Sequence, residues 1–136
     1  MCIPFGRARI VAEGADITVV TNSMMTIKAE KAVRQLQKEG ISAELIDLRT
    51  IVPLDTETII RSVKKTGKLL IVDEGHLSFG ITGEIASRIM PDVFYDLDAP
   101  IQRMGTADVP LPLSPALEFP LIPDEKKIAA KIREMV

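Results

Sequence analysis

The chain has 136 residues, of which 46% are hydrophobic and 26% are charged, and its formal net charge is −2. These values are ordinary for one soluble globular domain, and the interspersed charges do not predict binding to nucleic acid or to a membrane surface. A single cysteine, Cys2, and a single histidine, His76, exclude an internal disulfide and a zinc site rich in either residue. There is no signal-peptide pattern, and the longest apolar runs are a few residues, far short of a membrane span.

The sequence near the start of the chain predicts an edge strand, then a buried strand and then a helix. The segment ARIVAEG near the start is compatible with an edge strand, and DITVVT (residues 16–21) is short and β-branched, as buried strands are. A helix follows, capped by Asn22 or Ser23 and ended by Gly40. Its predicted buried face consists of apolar residues at helical spacing: Met25, Ala29, Ala32, Val33 and Leu36.

The next segment repeats the pattern of a strand followed by a helix. AELIDL (43–48) predicts the second strand, and Asp55 is the expected N-cap of a helix that Gly67 closes. Leu54 and Ile59 have the spacing of a hydrophobic staple. The apolar stripe of this helix is formed by Ile59, Ile60 and Val63.

The second half of the chain contains a third unit and a proline-rich segment. KLLIVDE (68–74) predicts a strand, and a helix from about Ile81 to Met90 follows a glycine-rich loop and is limited or broken by Pro91. PIQRMGT (100–106) predicts a fourth strand. Residues 107–123 hold five of the nine prolines and predict an extended arm rather than a central strand. A last helix, from about Asp124 to Met135, buries Ile128, Ile132 and Met135.

This alternation of strands and helices implies βαβ units. The predicted fold class is α/β, a three-layer α/β/α domain with a mainly parallel sheet.

Three strand ends lie at the same predicted rim, where open α/β sheets bind their ligands. They are followed by TNSMM, LRTIVPLD and DEGHLSFG. Neither GxGxxG nor GxxxxGK[ST] occurs, so no phosphate-loop motif is present. A helix N-terminus at this rim can still hold an anion.

His76 admits three interpretations. It is a general base if Asp73 or Glu74 orients it and Ser78 or a substrate lies beside it. It is a contact to another chain if its loop lies at an interface, and otherwise it is a loop residue with a structural role. The GxSxG motif of one class of serine hydrolases is absent.

Two other features have both a structural and a binding interpretation. Asp96 and Asp98 bracket Leu97 before the fourth strand, and they are either solvated turn residues or an acidic docking patch. The arm at 107–123 is rich in apolar residues, so it wraps its own domain or crosses to a neighbouring chain.

Three stretches together carry a family resemblance: IDLRTIVPLD before a helix, VDEGH with the downstream FGITGEIAS, and LDAPIQRMGTADVPLPLSPALE. In this order they resemble the C-terminal domain of transketolase-like enzymes. The likeness is greatest to the beta subunit of the decarboxylating component of pyruvate, branched-chain 2-oxo acid and acetoin dehydrogenases. The resemblance implies a mixed, mainly parallel five-stranded sheet with helices on both faces. It also implies that residues 1–136 are one such domain from a longer beta subunit, with 107–123 as an extended arm.

The resemblance implies an assembly and subunit-contact function. In this family thiamine diphosphate and magnesium lie between other domains, so we expect this domain to hold no cofactor, metal or catalytic residue and to be inactive alone. The intact enzyme would decarboxylate a 2-oxo acid, or cleave acetoin, and transfer the acyl unit to a lipoyl group. The expected partners are the rest of its beta subunit, an alpha subunit, a second beta subunit and the subunit-binding domain of a lipoyl acyltransferase. Neither nucleic acid nor a membrane is expected as a partner. The resemblance implies a cytoplasmic location, or the mitochondrial matrix in a eukaryote.

The resemblance also selects interface candidates. Asp98 and the terminal carboxylate of Val136 match the positions that contact the acyltransferase in pyruvate dehydrogenase types. The loop after the third strand supplies the other candidates: Glu74, His76, Phe79 and Gly80. The alternatives are the C-terminal domain of a transketolase or deoxyxylulose-phosphate synthase, and a stand-alone small-ligand-binding α/β regulator.

Overall fold

Five strands form one sheet within the described parts of the chain. The computed structural model describes residues 7–22, 24–49, 55–76, 81–106 and 124–136. The strands are β1 (Arg9–Ala12), β2 (Ile17–Thr21), β3 (Ala43–Asp47), β4 (Leu69–His76) and β5 (Gln102–Thr106), in the order β1-β3-β2-β4-β5 across the sheet. β1 is antiparallel to β3, and the other neighbouring pairs are parallel. The predicted mixed, mainly parallel sheet is confirmed, with ARIVAEG supplying the antiparallel edge strand.

Helices pack on both faces of this sheet. They are α1 (Met24–Lys38), α2 (Thr56–Thr66), α3 (Ile81–Val93) and α4 (Glu125–Met135). Leu45 on β3 belongs to the apolar cluster that includes α1 and α4, and its neighbour Ile46 belongs to the cluster that includes α2 and α3. Successive strand residues point to opposite faces, so one strand serves both clusters. The predicted three-layer α/β/α architecture is confirmed.

Burial explains why the central strands are almost entirely apolar or β-branched. Every residue of β2 is buried, and both of its neighbours in the sheet are parallel strands. Leu69, Leu70, Ile71 and Val72 of β4 are at most 1% exposed. A large apolar side chain that is fully buried stabilises the fold by about 1.5–3 kcal/mol, which makes these two strands the centre of the core.

The predicted helix ends are found at the glycines and aspartates. Gly40 and Gly67 have φ of 85° and 78°, the left-handed conformation that glycine adopts without a Cβ clash. Asp55 accepts from the amide of Thr58 at 3.2 Å, and Asp124 accepts from the amide of Lys127 at 2.8 Å. The predicted partner of the staple, Leu54, lies outside the described residues.

Helix α3 differs from its prediction because Pro91 does not end it. The helix continues to Val93, with Pro91 exposed on its outer side. A proline within a helix removes one backbone hydrogen bond, but here only the last turn lies beyond it. Val93 is 0% exposed, so its burial in the core offsets part of that cost. Strand β4 also runs two residues beyond its predicted end at Glu74, because the backbone of His76 pairs with Thr106 of β5.

The connections from β2 and from β4 lead to opposite edges of the sheet. From β2 the chain passes through α1 to β3 on one side, and from β4 it passes through α3 to β5 on the other side. The carboxyl ends of β2 and β4 therefore flank the switch point of the sheet, where α/β proteins usually place a ligand. The N-termini of α1 and α3 lie at this rim, on opposite faces of the sheet.

Candidate functional site

The candidates at the end of β4 are described only in part. The backbone of residues 74–76 is the last segment of β4, whereas the side chains of Glu74 and His76 lie outside the described part of the chain. Phe79 and Gly80 lie outside the described residues, as does the proline-rich arm at 107–123. The contact roles predicted for these four residues and for the arm stay predictions.

Asp98 lies in the turn between α3 and β5, where it is exposed to solvent. Its backbone amide donates to the carbonyl of Gly67 at 2.8 Å. A Cβ placed on Gly67 would come within 2.3 Å of Asp98 Oδ2, so the carboxylate lies directly over the end of α2. Asp98 therefore ties the α3–β5 turn to α2 while keeping its charge accessible.

Val136 lies at a different place in the fold from Asp98. It ends α4, its amide donates to the carbonyl of Ile132 at 3.1 Å, and 43% of it is exposed. α4 packs with α1, whereas the turn that holds Asp98 follows α3 on the opposite face of the sheet. The two acyltransferase-contact candidates are thus attached to opposite layers of the domain.

An exposed apolar surface, missed from the sequence, lies beside Asp98. We call it the α3 face and define it by its apolar members: Ala86, Met90, Pro91, Phe94, Leu97 and Pro100. A cavity of about 600 Å³ opens between most of these residues, and Asp98 and Arg103 also line it. Phe94 is 61% exposed. Exposed apolar area of this kind usually marks a contact with another chain.

The signal for the α3 face is present in the sequence. Phe94 and Tyr95 are adjacent, although the chain has only five aromatic residues, and acidic residues flank them on both sides. Their rings form an edge-to-face pair with centroids 5.2 Å apart, and Tyr95 is 95% exposed. The sequence analysis ended the helix near Met90 and left these two residues in a loop. Hydrophobic periodicity therefore did not indicate that Phe94 continues the apolar surface of α3.

A second, more basic groove of about 310 Å³ lies between α1 and α4. Its walls include Lys31, Lys126 and Arg133. Arg133 donates to both carboxylate oxygens of Glu39, at 2.9 and 2.6 Å. That paired hydrogen bond lowers the pKa of Glu39 and raises the pKa of Arg133, although both groups are near solvent. The pair clamps the end of α1 to α4.

Two further carboxylates are buried for structural reasons. Asp55 accepts from the Ala8 amide at 2.8 Å, so it joins the start of β1 to α2 as well as capping the helix. Burial alone would raise the pKa of Asp55, but hydrogen bonds from Thr58 and Ala8 hold it below its usual value.

Glu44, on β3, is 2% exposed beneath α2. The Ser62 hydroxyl donates to its Oε2 at 2.5 Å, Lys65 donates to its Oε1, and the Gly14 amide lies 3.3 Å from the same oxygen. Burial alone would raise the pKa of Glu44, but these donors hold it below its usual value.

The carboxylates whose pKa is lowered all have structural partners, and they are Glu39, Glu44 and Asp55. Among the residues described, no group of three His, Cys, Asp or Glu side chains is placed to hold a metal ion. No described helix is long and apolar enough to cross a membrane.

Comparison with known proteins gives one consistent result. Residues 6–128 match the family described as the C-terminal domain of transketolase. The chain is 46% identical over 133 residues to a pyruvate dehydrogenase E1 component subunit beta of Rickettsia felis, covering 98% of this chain and 41% of that protein. It is 42% identical over 132 residues to the beta subunit of an acetoin:2,6-dichlorophenolindophenol oxidoreductase of Cupriavidus necator, covering 97% of this chain and 39% of that protein.

A solved structure gives the same match in three dimensions. The protein titled a split gene transketolase, inactive beta4 tetramer, aligns with a TM-score of 0.83 and 26% sequence identity. The alignment covers 99% of this chain and 44% of that one. In each of these matches this chain spans about two fifths of the length of its relative.

Proposed function

The chain belongs to the transketolase C-terminal domain family, and we propose that it is the assembly and subunit-contact domain of a dehydrogenase beta subunit. The observation that carries this proposal is the alignment of 98% of the chain with 41% of a pyruvate dehydrogenase beta subunit. The proposed parent reaction is oxidative decarboxylation of a 2-oxo acid, or cleavage of acetoin, with transfer of the acyl unit to a lipoyl group. The proposed location is the cytoplasm of a bacterium or the mitochondrial matrix of a eukaryote.

In the proposed enzyme, this chain supplies surfaces and other domains supply the chemistry. Thiamine diphosphate, bound with magnesium in the intact enzyme, would stabilise the carbanion left by decarboxylation. The described residues offer no set of carboxylates suited to its magnesium ion, so we assign no step of the reaction to them. Loss of this domain would lower activity because the subunits would no longer assemble.

The α3 face is the surface that we assign to a second beta subunit. It combines exposed Phe94 with a cavity floored by apolar side chains, which is how the centre of a subunit interface is built. Two copies related by a twofold axis would bury this face of each copy against the other, because such an interface is self-complementary. The exposed carboxylate of Asp98 is assigned to a different partner.

The other proposed contacts use the remaining candidates. The accessible carboxylate of Asp98 and the carboxylate of Val136 would attract the basic subunit-binding domain of a lipoyl acyltransferase, since complementary charge orients partners and accelerates their association. Glu74, His76, Phe79 and Gly80 would face the alpha subunit or the rest of the beta subunit. In this proposal His76 contributes contact area and no proton transfer.

Turnover tests this function directly. The 136-residue chain and the complete beta subunit would each be mixed with an alpha subunit, thiamine diphosphate, magnesium and an artificial electron acceptor. Pyruvate, branched-chain 2-oxo acids and acetoin would be supplied in turn. We expect turnover only with the complete subunit, and the substrate that reacts identifies the parent enzyme. Turnover by the 136-residue chain without the rest of the subunit would contradict the proposal and return His76 to consideration as a catalyst.

A further inference from the structure

Cationic residues are concentrated on the layer of the domain that α1 and α4 form. Each of these helices has four cationic residues, against one anionic residue on α1 and two on α4. The chain as a whole has a formal net charge of −2, so most of its acidic residues lie elsewhere. A surface with an excess of one charge attracts partners that carry the opposite charge.

The groove between these two helices, which we call the α1/α4 groove, combines a small apolar floor with exposed cations. Ala32 and Ala129 line it and are 2% and 5% exposed, so they form its floor. Lys31 and Lys126 line the same groove and are exposed. In the described part of the chain, neither lysine takes part in an ion pair or a hydrogen bond. Both ammonium groups are therefore available to a partner.

The acidic residue of the groove leaves its positive charge in excess. Glu125 also lines the groove and lies in the first turn of α4, where the helix dipole favours a negative charge. It supplies one carboxylate, whereas Lys31 and Lys126 supply two ammonium groups. The remaining cation of the groove, Arg133, is already paired with Glu39 at 2.6 Å. The two lysines thus set the charge that a partner would meet.

An exposed isoleucine continues the groove along α1. Ile27 is 62% exposed. Residues four apart lie on one side of a helix, so Ile27, Lys31 and Gln35 are aligned, and the last two line the groove. A partner that reaches Lys31 from this end of α1 would therefore cover Ile27, and burial of that side chain would add an apolar contribution to binding.

We propose that the α1/α4 groove docks an acidic segment of another polypeptide. Carboxylates of this segment pair with Lys31 and Lys126, and an apolar side chain of it covers Ile27, so that complementary charge orients the partner. A polypeptide fits better than nucleic acid, because neither helix has an aromatic residue on which bases could stack, and Glu125 would repel a phosphate backbone.

This docking surface goes beyond the proposed function and does not depend on it. α1 and α4 pack on one face of the sheet, whereas the α3 face belongs to the opposite layer. A polypeptide docked in the α1/α4 groove would leave the α3 face open to a second copy. The test below measures binding without turnover or self-association, so either proposal can fail while the other holds.

Fluorescence anisotropy of a labelled peptide, added to the 136-residue chain, tests the site. The probe is a short helical peptide of glutamate, leucine and alanine with blocked ends. We expect saturable binding that weakens as salt is added, since salt screens the attraction between exposed charges. Lys31→Glu and Lys126→Glu should each weaken binding about fivefold or more, because a repulsion replaces an attraction.

Lys64→Glu is the matched control for these variants. Lys64 is an exposed lysine in the last turn of α2, which packs on the other face of the sheet. The substitution changes the net charge of the protein by the same amount but should change binding by less than about twofold. Equal weakening by Lys64→Glu and Lys31→Glu would overturn the proposal, because the peptide would then respond only to net charge.

A charge exchange separates docking from a general effect on the fold. The double variant with Lys31→Glu and Lys126→Glu should lose the glutamate peptide and bind the same peptide with lysine in place of glutamate. Its melting temperature should be unchanged, since neither lysine has an ion pair to lose among the described residues. If the double variant binds the lysine peptide no better than the wild type does, the lysines are not the contact and the proposal fails.

Two further measurements identify the class of partner. Ile27→Ala should weaken binding of the glutamate peptide about threefold or more, because apolar contact is lost, and unchanged binding would overturn the placement of the segment along α1. Single-stranded DNA with as many negative charges as the peptide should bind more weakly. Equal or tighter binding of that DNA would overturn the assignment to a polypeptide.

Discussion

At the scale of single residues, Glu44 is the most informative side chain in the described structure. Its carboxylate lies beneath α2, and the Ser62 hydroxyl that donates to it is itself 2.7 Å from the hydroxyl of Thr18. Thr18 also lies 2.7 Å from the hydroxyl of Thr66. A polar chain thus joins β3, α2 and β2 in the core, and every member has a partner.

We expect Glu44→Gln to lower the free energy of unfolding by about 1–3 kcal/mol at neutral pH. Glutamine keeps the shape but loses the ion pair with Lys65. Because the pKa of Glu44 is lowered in the folded state, its stabilising effect is fully present above the carboxyl pKa of the unfolded chain, about 4.3. That effect is lost as the pH falls through the folded pKa, so the gap between wild type and variant should narrow in acid.

Urea unfolding at neutral pH and near pH 3 measures both quantities. Glu57→Gln is the matched control, because Glu57 forms an exposed ion pair with Arg61, and such pairs contribute about 0–1 kcal/mol. Equal losses for the two variants, or a gap that does not change with pH, would contradict a stabilising role for the buried carboxylate.

At the scale of secondary-structure elements, two glycines are required for different physical reasons. Gly14 lies between β1 and β2, and a Cβ there would come within 2.3 Å of the backbone carbon of Ala43 on β3. Gly40 has φ of 85° after α1, and a Cβ there would meet no atom within 4 Å. The first position has no space for a side chain, and the second has space but a backbone that other residues adopt at a cost.

The same substitution, glycine to alanine, should destabilise the protein at both positions but for different reasons. Gly14→Ala should cost about 2–3 kcal/mol or more, because the rigid backbone of β3 must move. Gly40→Ala should cost about 1–2 kcal/mol, from the left-handed conformation alone. Thermal unfolding of both variants measures the difference. A smaller loss for Gly14→Ala than for Gly40→Ala would show that β3 does not hold this turn closely.

The polar side of α2 was not predicted from its sequence. Thr58, Ser62 and Thr66 are buried, although residues of this type at four-residue spacing usually form a solvated helix face. Their burial depends on Thr18, Glu44 and Asp55, which come from other elements and provide hydrogen-bond partners. The helix sequence contains no information about these partners, so periodicity alone could not identify this face.

At the scale of the whole molecule, the α3 face predicts self-association. Phe94 exposes 61% of its surface beside an apolar cavity, and association would remove that surface from water. We expect the chain to form a concentration-dependent dimer. Phe94→Asp should weaken the dimer about tenfold or more, because it places a charge in the apolar centre of the contact.

Sedimentation equilibrium of the wild type and two variants measures this effect. Ile27→Asp is the control, because Ile27 is 62% exposed but lies on α1, on the other face of the sheet. It should leave the dissociation constant unchanged within about twofold, since an exposed apolar residue outside an interface contributes little. A strict monomer at high concentration, or equal weakening by both variants, would contradict the assignment of the α3 face.

Sequence by itself determined the order of the elements, most of their ends and the layered fold. Hydrophobic periodicity follows from the geometry of a single helix or strand, and caps such as Asp55 and Gly67 act on neighbours a few residues away. Such local signals are complete within a short window of sequence. The order of the three family motifs, from IDLRTIVPLD to LDAPI, was likewise sufficient to indicate the family.

Tertiary structure alone decided which distant groups meet. It brought Arg103 of β5 to Gly83 of α3, placed Asp98 over Gly67, and left Thr82 buried without a partner among the described residues. It also placed Asp98 and Val136 next to helices on opposite faces of the sheet, although the family resemblance groups these two residues. These relations depend on how strands cross over and helices pack, and hydrogen bonding and burial between distant residues have no periodic trace in the sequence.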